Sequence, residues 1–202
     1  MEARPDRVGR HLVRLEDGSS MRLYPQTVQD HGLYPGLELT DAQLEALRTD
    51  TGKMSAKMRA VRIVTASSVS KGDLQRRLVQ KGEDPEQARQ AVAWMEELDL
   101  VDDRKTAEQV VSACIRKGYG LARAKQALYE KHIPKAYWQE VLAEYPDQLD
   151  AIVAFLRMRL GDSWDERELR RATDALIRRG HSYGDIRRGL QQLSMNDDFL
   201  EE

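Results

Sequence analysis

Ser70-Lys71-Gly72-Asp73-Leu74 is the stretch on which the fold turns. Its serine can cap a helix by accepting from the Asp73 amide, and its aspartate falls in a first turn, where the helix dipole favours an anion. Near the C-terminus Ser182-Tyr183-Gly184-Asp185-Ile186 repeats it, and each copy is followed four residues after its aliphatic side chain by Leu78 or Leu190. Between them, Gly120-Leu121-Ala122-Arg123-Ala124 with Leu128 keeps the spacing but exchanges the acid for a base. The lead-ins correspond too, Ile115-Arg116-Lys117-Gly118 against Ile177-Arg178-Arg179-Gly180. Offsets of about 50 and about 62 residues predict a helical module repeated in tandem. Such modules make extended surfaces that suit long partners, so a binding protein is expected ahead of an enzyme.

Outward from the first copy the pattern stays helical. Met58, Val61 and Val64 form one apolar stripe, and Leu74 with Leu78 forms the next. Lys81-Gly82 is a stop, because glycine tolerates left-handed dihedrals. Pro85 suits a first turn, and Ala88, Ala91, Val92, Met95 and Leu98 follow at helical spacing. Asp102 or Asp103 caps the next helix, with Val110, Val111, Cys114 and Ile115 on its buried face; Gly118 and Gly120 break it. Ala124 and Leu128 carry a middle helix, and Pro134 opens a third with Trp138, Val141, Leu142 and Tyr145. A last unit begins near Pro146, with Leu149, Ile152, Val153 and Leu156, then Leu169, Leu176 and Ile177, then Ile186, Leu190 and Leu193.

The first fifty residues differ. Residues 11–15 and 21–24 flank Asp17-Gly18 and read as a β-hairpin closed by an Asp-Gly turn. Leu33 to Gly36 reads as loop, Thr40 as the cap of a short helix holding Leu44 and Leu47, and Gly52 as a boundary. The expected organisation is mainly α: an extension with the β-hairpin and short helix over 1–52, then three-helix modules over 53–102, 103–145 and 146–202.

Charged residues make up 33% of the 202-residue chain against about 25% in an average domain, and aromatics only 6%. That balance suits charge-laced helices with thin cores. The net charge of −2 hides local contrast, since bases gather at Arg76-Arg77, Arg170-Arg171, Arg178-Arg179 and Arg187-Arg188. Cys114 is alone, which excludes an internal disulfide and makes a reducing compartment the default. The opening Met1-Glu2-Ala3-Arg4-Pro5-Asp6 has no signal-type apolar stretch. The longest apolar run, Ala151 to Leu156, falls far short of the ~20 residues of a membrane span. A cytoplasmic protein without membrane association is expected.

Catalytic chemistry is hard to place. His11, His31, His132 and His181 are scattered, and neither C-x-x-C nor a phosphate-binding glycine loop occurs, so no metal and no cofactor is expected. Cys114 lies on an apolar helix face and reads as a core thiol, and Trp94, Trp138 and Trp164 read as packing residues. What recurs is paired bases beside module starts. They are either solvated helix faces or a row of contacts for phosphates or an acidic protein groove.

The same residues resemble the RecX family, the bacterial regulators of the RecA recombinase. Leu98-Asp-Leu-Val-Asp-Asp103 with Ala107 is similar to that family's Leu-x-Asp-Asp-x-x-Phe-Ala signature. Gly118-Tyr-Gly120 with Arg123, Leu128, Lys131 and Ile133 resembles its Gly-x-Gly-x-x-Arg…Leu…Lys-Gly-Ile stretch. Leu176-Ile-Arg-Arg-Gly180 with Ser182, Asp185, Ile186 and Leu190 resembles its closing segment. Thr106 stands where an aromatic is usual, His132 where glycine is, His181 where phenylalanine is, and Leu121 where proline is common.

The resemblance implies tandem three-helix modules in an elongated, curved array. It also implies a monomeric regulator that lies along a RecA filament on single-stranded DNA, with that DNA as a further candidate contact. Such a regulator would modulate, mainly inhibit, the filament's ATPase, recombinase and coprotease activities in DNA repair and the SOS response. Bridging neighbouring protomers would either lock the filament or block its growth. The expected contact residues are Arg76, Arg77, Arg116, Lys117, Arg123, Lys125, Arg178, Arg179, Arg187 and Arg188. The competing reading is a helix-turn-helix-type protein acting directly on DNA.

Overall fold

The computed structural model describes residues 5–161 and 165–198. Two short strands, β1 (His11–Arg14) and β2 (Ser20–Leu23), pair antiparallel with His11 opposite Leu23 and Arg14 opposite Ser20. A helix α1 (Pro25–Asp30), unforeseen in the sequence, follows directly, with Pro25 in its first turn. Leu23, Tyr24 and Thr27 are buried, and His31 at the end of α1 meets Asp50 at 3.1 Å.

Helix α2 (Asp41–Ala66) opens on a full capping box. The Thr40 hydroxyl accepts from the Gln43 amide, and the Gln43 side chain accepts from the Thr40 amide at 2.9 Å. The helix runs through Gly52, so the boundary expected there is corrected: the short helix and the first module's first helix are one element. A glycine inside a helix costs only about 1 kcal/mol. Here it also makes room, because a Cβ at Gly52 would overlap the Gln87 side chain.

Helices α3 (Lys71–Gln80) and α4 (Pro85–Glu97) complete the first module. The Ser70 hydroxyl accepts from the Asp73 amide at 3.0 Å, and Asp84 caps α4 by accepting from Glu86 and Gln87. Ala56, Ala60 and Ile63 of α2 close with Leu74, Leu78, Ala91 and Met95 into one apolar cluster.

In the second half, Asp102 caps α5 (Asp103–Arg116) by accepting from the amides of Arg104 and Lys105, while Asp103 is buried. Helix α6 (Leu121–Glu130) follows the Gly118-Tyr-Gly turn. The third helix expected after Pro134 is not continuous: a 3-10 turn (Lys135–Tyr137) leads into the short α7 (Trp138–Leu142). Ala107, Val111, Leu128 and Ile133 form its core, edged by Val141, Leu142 and Tyr145. Then α8 (Leu149–Leu160), α9 (Glu166–Arg178) and α10 (Tyr183–Asp198) bury Ile152, Phe155, Leu156, Leu176, Ile186 and Leu193 together.

Among the described residues, six helix ends close in the same way. After α1, α3, α4, α5, α6 and α9 the third residue past the helix donates its amide to a carbonyl five residues back, as Glu83 does to Leu78 and His181 to Leu176. The left-handed seat is glycine at 32, 82, 118 and 180 but Asp99 and His132 in the other two. By contacts the chain divides into two compact units, residues 1–101 and 102–202.

Candidate functional site

The predicted basic residues have diverse fates. Arg76 and Arg77 are tied inward: each guanidinium lies 2.7 Å from a carboxylate oxygen of Asp73, which is only 2% exposed. Burial pushes that carboxyl up, but the hydrogen bonds and charges of the two arginines outweigh it and hold Asp73 below the ordinary range. Arg188 likewise reaches Asp147 at 2.9 Å and Asp185 at 2.7 Å, though in an exposed setting. Arg116, Lys117, Lys125 and Arg187 are exposed helix-surface residues.

The remaining three, Arg123, Arg178 and Arg179, come together because two turns interlock. The Gly120 amide donates to the Arg179 carbonyl at 2.9 Å, and the Ala122 amide donates to the Gly180 carbonyl at 3.3 Å. A Cβ on Gly120 would overlap the Gly180 carbonyl, and one on Gly180 would overlap the Arg123 backbone. Both glycines are therefore demanded by close backbone approach, a long-range reason that the local role of Gly118 and Gly120 as helix breakers does not reveal. His181 joins the same turn: its Nε2–H donates to the Gly118 carbonyl at 3.0 Å. Burial pulls its basicity below the ordinary value for histidine. On the other side of the turn the Tyr145 hydroxyl donates to the Tyr119 carbonyl at 2.7 Å, and burial pushes its pKa up to about 12.

Beside this junction lies an open depression of about 260 Å³, lined by Tyr119, Arg123, Phe155, Arg159, Ala175, Arg178 and Arg179. Phe155 of α8 is 7% exposed. The Arg179 guanidinium lies over its ring, 4.4 Å from the centroid, and that of Arg159 lies 5.9 Å away. Arg123 is bound to Glu130 at 3.0 Å, which raises its basicity further. An adjoining depression shares Arg159, Ala175 and Arg178 and adds Arg171, Ala172 and Glu168. Arg159 and Arg171 lie outside the paired bases that recur beside module starts, so repeat position does not point to them. The usable signal was Phe155 four residues before Arg159, a spacing that stacks the two on one helix face.

Cys114 is buried and burial pushes its thiol up, away from nucleophilic character. Trp138 donates to the Ile133 carbonyl at 3.1 Å, and Trp94 packs on the first core with Lys57 4.9 Å above its ring. Trp164 lies outside the described residues. Among the described residues, no group of three His, Cys, Asp or Glu is placed to hold a metal ion, and no helix is long and apolar enough to cross a membrane.

A family profile described as "RecX, second three-helix domain" matches residues 102–142. A curated "Regulatory protein RecX" from Trichlorobacter lovleyi is 31% identical over 130 residues, covering 60% of this chain and 84% of that protein. One from Vibrio parahaemolyticus is 24% identical over 136 residues, covering 66% and 88%. A crystal structure titled regulatory protein RecX aligns over 90% of this chain and 93% of its own with a TM-score of 0.63 at 19% identity. That of RecX from Lactobacillus salivarius gives 0.60 at 19% identity, over 71% and 97%.

Proposed function

The chain belongs to the RecX family of regulatory proteins, and from that premise we propose that it binds the RecA filament on single-stranded DNA and restrains its ATPase, recombinase and coprotease activities. The setting would be DNA repair and the SOS response. Beyond family membership, the observation that supports this reading is the depression at the α5–α6 and α9–α10 turns, whose lining holds four arginines and no acid. A filament repeats its acidic surfaces and its DNA phosphates at regular intervals. Modest contacts by Arg178, Arg179, Arg187 and the outward bases of α5 and α6 would add through effective concentration, without one dominant anchor. Bridged protomers would either be locked against the rearrangements of the ATP cycle or be unable to extend.

The test is RecA ATP hydrolysis on single-stranded DNA with the protein titrated in below equimolar amounts. Inhibition well under one molecule per RecA is the expected result; unchanged hydrolysis at equimolar protein would overturn the proposal. Arg178→Glu, Arg179→Glu, Arg187→Glu and Arg188→Glu combined should weaken filament binding, and full inhibition by that variant would sink the assignment of the surface.

Direct helix-turn-helix binding to duplex DNA is less well supported. A recognition helix puts its N-terminal turn against the bases. In α3 and α10 that turn carries Asp73 and Asp185, whose arginine partners are already engaged.

A further inference from the structure

We propose that the two adjoining depressions along α6, α8 and α9 form a subsite for the sugar-phosphate backbone of a single nucleic-acid strand, held by Arg159, Arg171, Arg178 and Arg179. This goes beyond the filament reading, because it assigns a contact to the nucleic acid itself and is tested without RecA.

The first reason is a row of cations not drawn into ion pairs. Arg123 is committed to Glu130, and Arg170 to Glu166. Among the described residues the four named arginines take part in no ion pair, and Glu168 is the one acid in the combined lining. Arg159 and Arg178 line both depressions, which makes the pair one continuous track rather than two isolated hollows.

The second reason is geometry. Volumes of about 260 and 310 Å³ in open, shallow form suit a strand passing through, not an enclosed small molecule. The Arg179 guanidinium sits over the Phe155 ring, 4.4 Å from its centroid, so an aromatic face anchors a cation whose fork suits two phosphate oxygens at once. Tyr119 sets an aromatic ring beside this cationic row, and single-strand grooves combine the same two side-chain types, cations for phosphates and rings for bases. One carboxylate from a protein partner would satisfy only part of a four-cation track. A backbone carrying a charge at every residue satisfies it along its length.

The test is fluorescence anisotropy of a labelled thymidine oligonucleotide of about 20 nucleotides, titrated with the full chain between about 50 and 200 mM salt. Arg159, Arg171 and Arg178 are exposed and lie outside the apolar clusters, so Arg159→Gln, Arg171→Gln and Arg178→Gln together should leave the fold intact, as circular dichroism will check. Losing three phosphate contacts should flatten the log–log salt slope by about 2, so the wild type should lose roughly fifteenfold more affinity than the variant across that range. Arg179→Lys keeps the charge but not the fork, and should weaken binding with little change of slope. Equal slopes and affinities for wild type and the triple variant would overturn the proposal. So would the absence of wild-type binding at the lowest salt, or competition by polyglutamate as effective as by unlabelled oligonucleotide. RecA inhibition by the triple variant is read separately, so the filament proposal and this one can fail independently.

Discussion

In the module of α2, α3 and α4 the middle helix α3, and in the module of α8, α9 and α10 the last helix α10, open on the same Ser-x-Gly-Asp sequence, yet the acid has a different position in each. Asp73 is 2% exposed and draws Arg76 and Arg77 onto itself. The Asp185 side chain is 40% exposed, accepts from Ser182 and shares Arg188 with Asp147. In the first module the paired bases compensate a buried charge. In the last, Arg178 and Arg179 come before the turn and stay on the surface of the depression. A dibasic pair thus reads as structural when an acid lies three or four residues upstream and the helix face between them is buried.

The harshest way to break this contrast is at the interlocked turns of the second half. Gly120→Ala drives a methyl into the Gly180 carbonyl and should cost about 3 kcal/mol in a urea melt, since backbone on both sides resists relaxation. Gly184→Ala is the control: its Cβ would meet only the Ser182 hydroxyl at 3.6 Å. A helical glycine replaced by alanine there should stabilise by about 0.5 kcal/mol. Equal responses from the two would remove the close-approach argument.

Next in size, Asp73→Asn should destabilise by about 2 kcal/mol, because a buried charge-assisted pair of hydrogen bonds is lost. Asp185→Asn should cost much less, since water screens that pair. The Asp73 contribution depends on pH. Its folded carboxyl titrates below the unfolded one, so the stabilisation is complete above the ordinary carboxylate range and is lost as pH falls through the lowered folded value. An acid melt of Asp73→Asn that lacks this step, with Asp185→Asn retaining it, would sharpen the comparison.

Smaller still is the helix end that departs from glycine. His132 holds φ 53° at the seat that Gly82, Gly118 and Gly180 fill elsewhere. His132→Gly should raise stability by about 1 kcal/mol, seen as a few degrees in Tm.

The gentlest probe is His181→Phe at the junction. Burial lowers the basicity of folded His181, so as pH falls the unfolded chain binds the extra proton first. Stability is therefore complete above the ordinary histidine range and declines as pH drops below it, until the folded residue also protonates. Comparing Tm at neutral and mildly acidic pH should show a shallower decline in the variant, while a parallel decline would acquit His181.

Much of this fold was legible in the residues. Ser70, Asp102 and Pro85 start helices where their chemistry dictates, and the stripes through Leu74, Met95, Val111 and Leu176 are the cores. The hairpin about Asp17-Gly18 and the cap at Thr40 were equally local signals. Gly52 misled because the cost of glycine in a helix is small beside the packing that a long α2 gains. The junction was illegible for a different reason: Gly120 and Gly180 are sixty residues apart, and nothing near either one announces the other. The basic depression needed that junction to exist before Arg123, Arg159 and Arg179 could be neighbours, so its membership could not be read from repeat position alone.

The interlocked turns also set how the second half must come apart. In an array of repeats, stability divides into what each repeat holds alone and what adjacent repeats hold jointly. Three hydrogen bonds cross this seam, from Gly120 to Arg179, from Ala122 to Gly180 and from His181 to Gly118. At about 1 kcal/mol each, they suppress states with one repeat melted and its neighbour intact on the order of a hundredfold. Amides of α5 and α10 should then exchange with solvent in a single concerted opening, and the two repeats would behave as one fraying unit in an otherwise segmented chain.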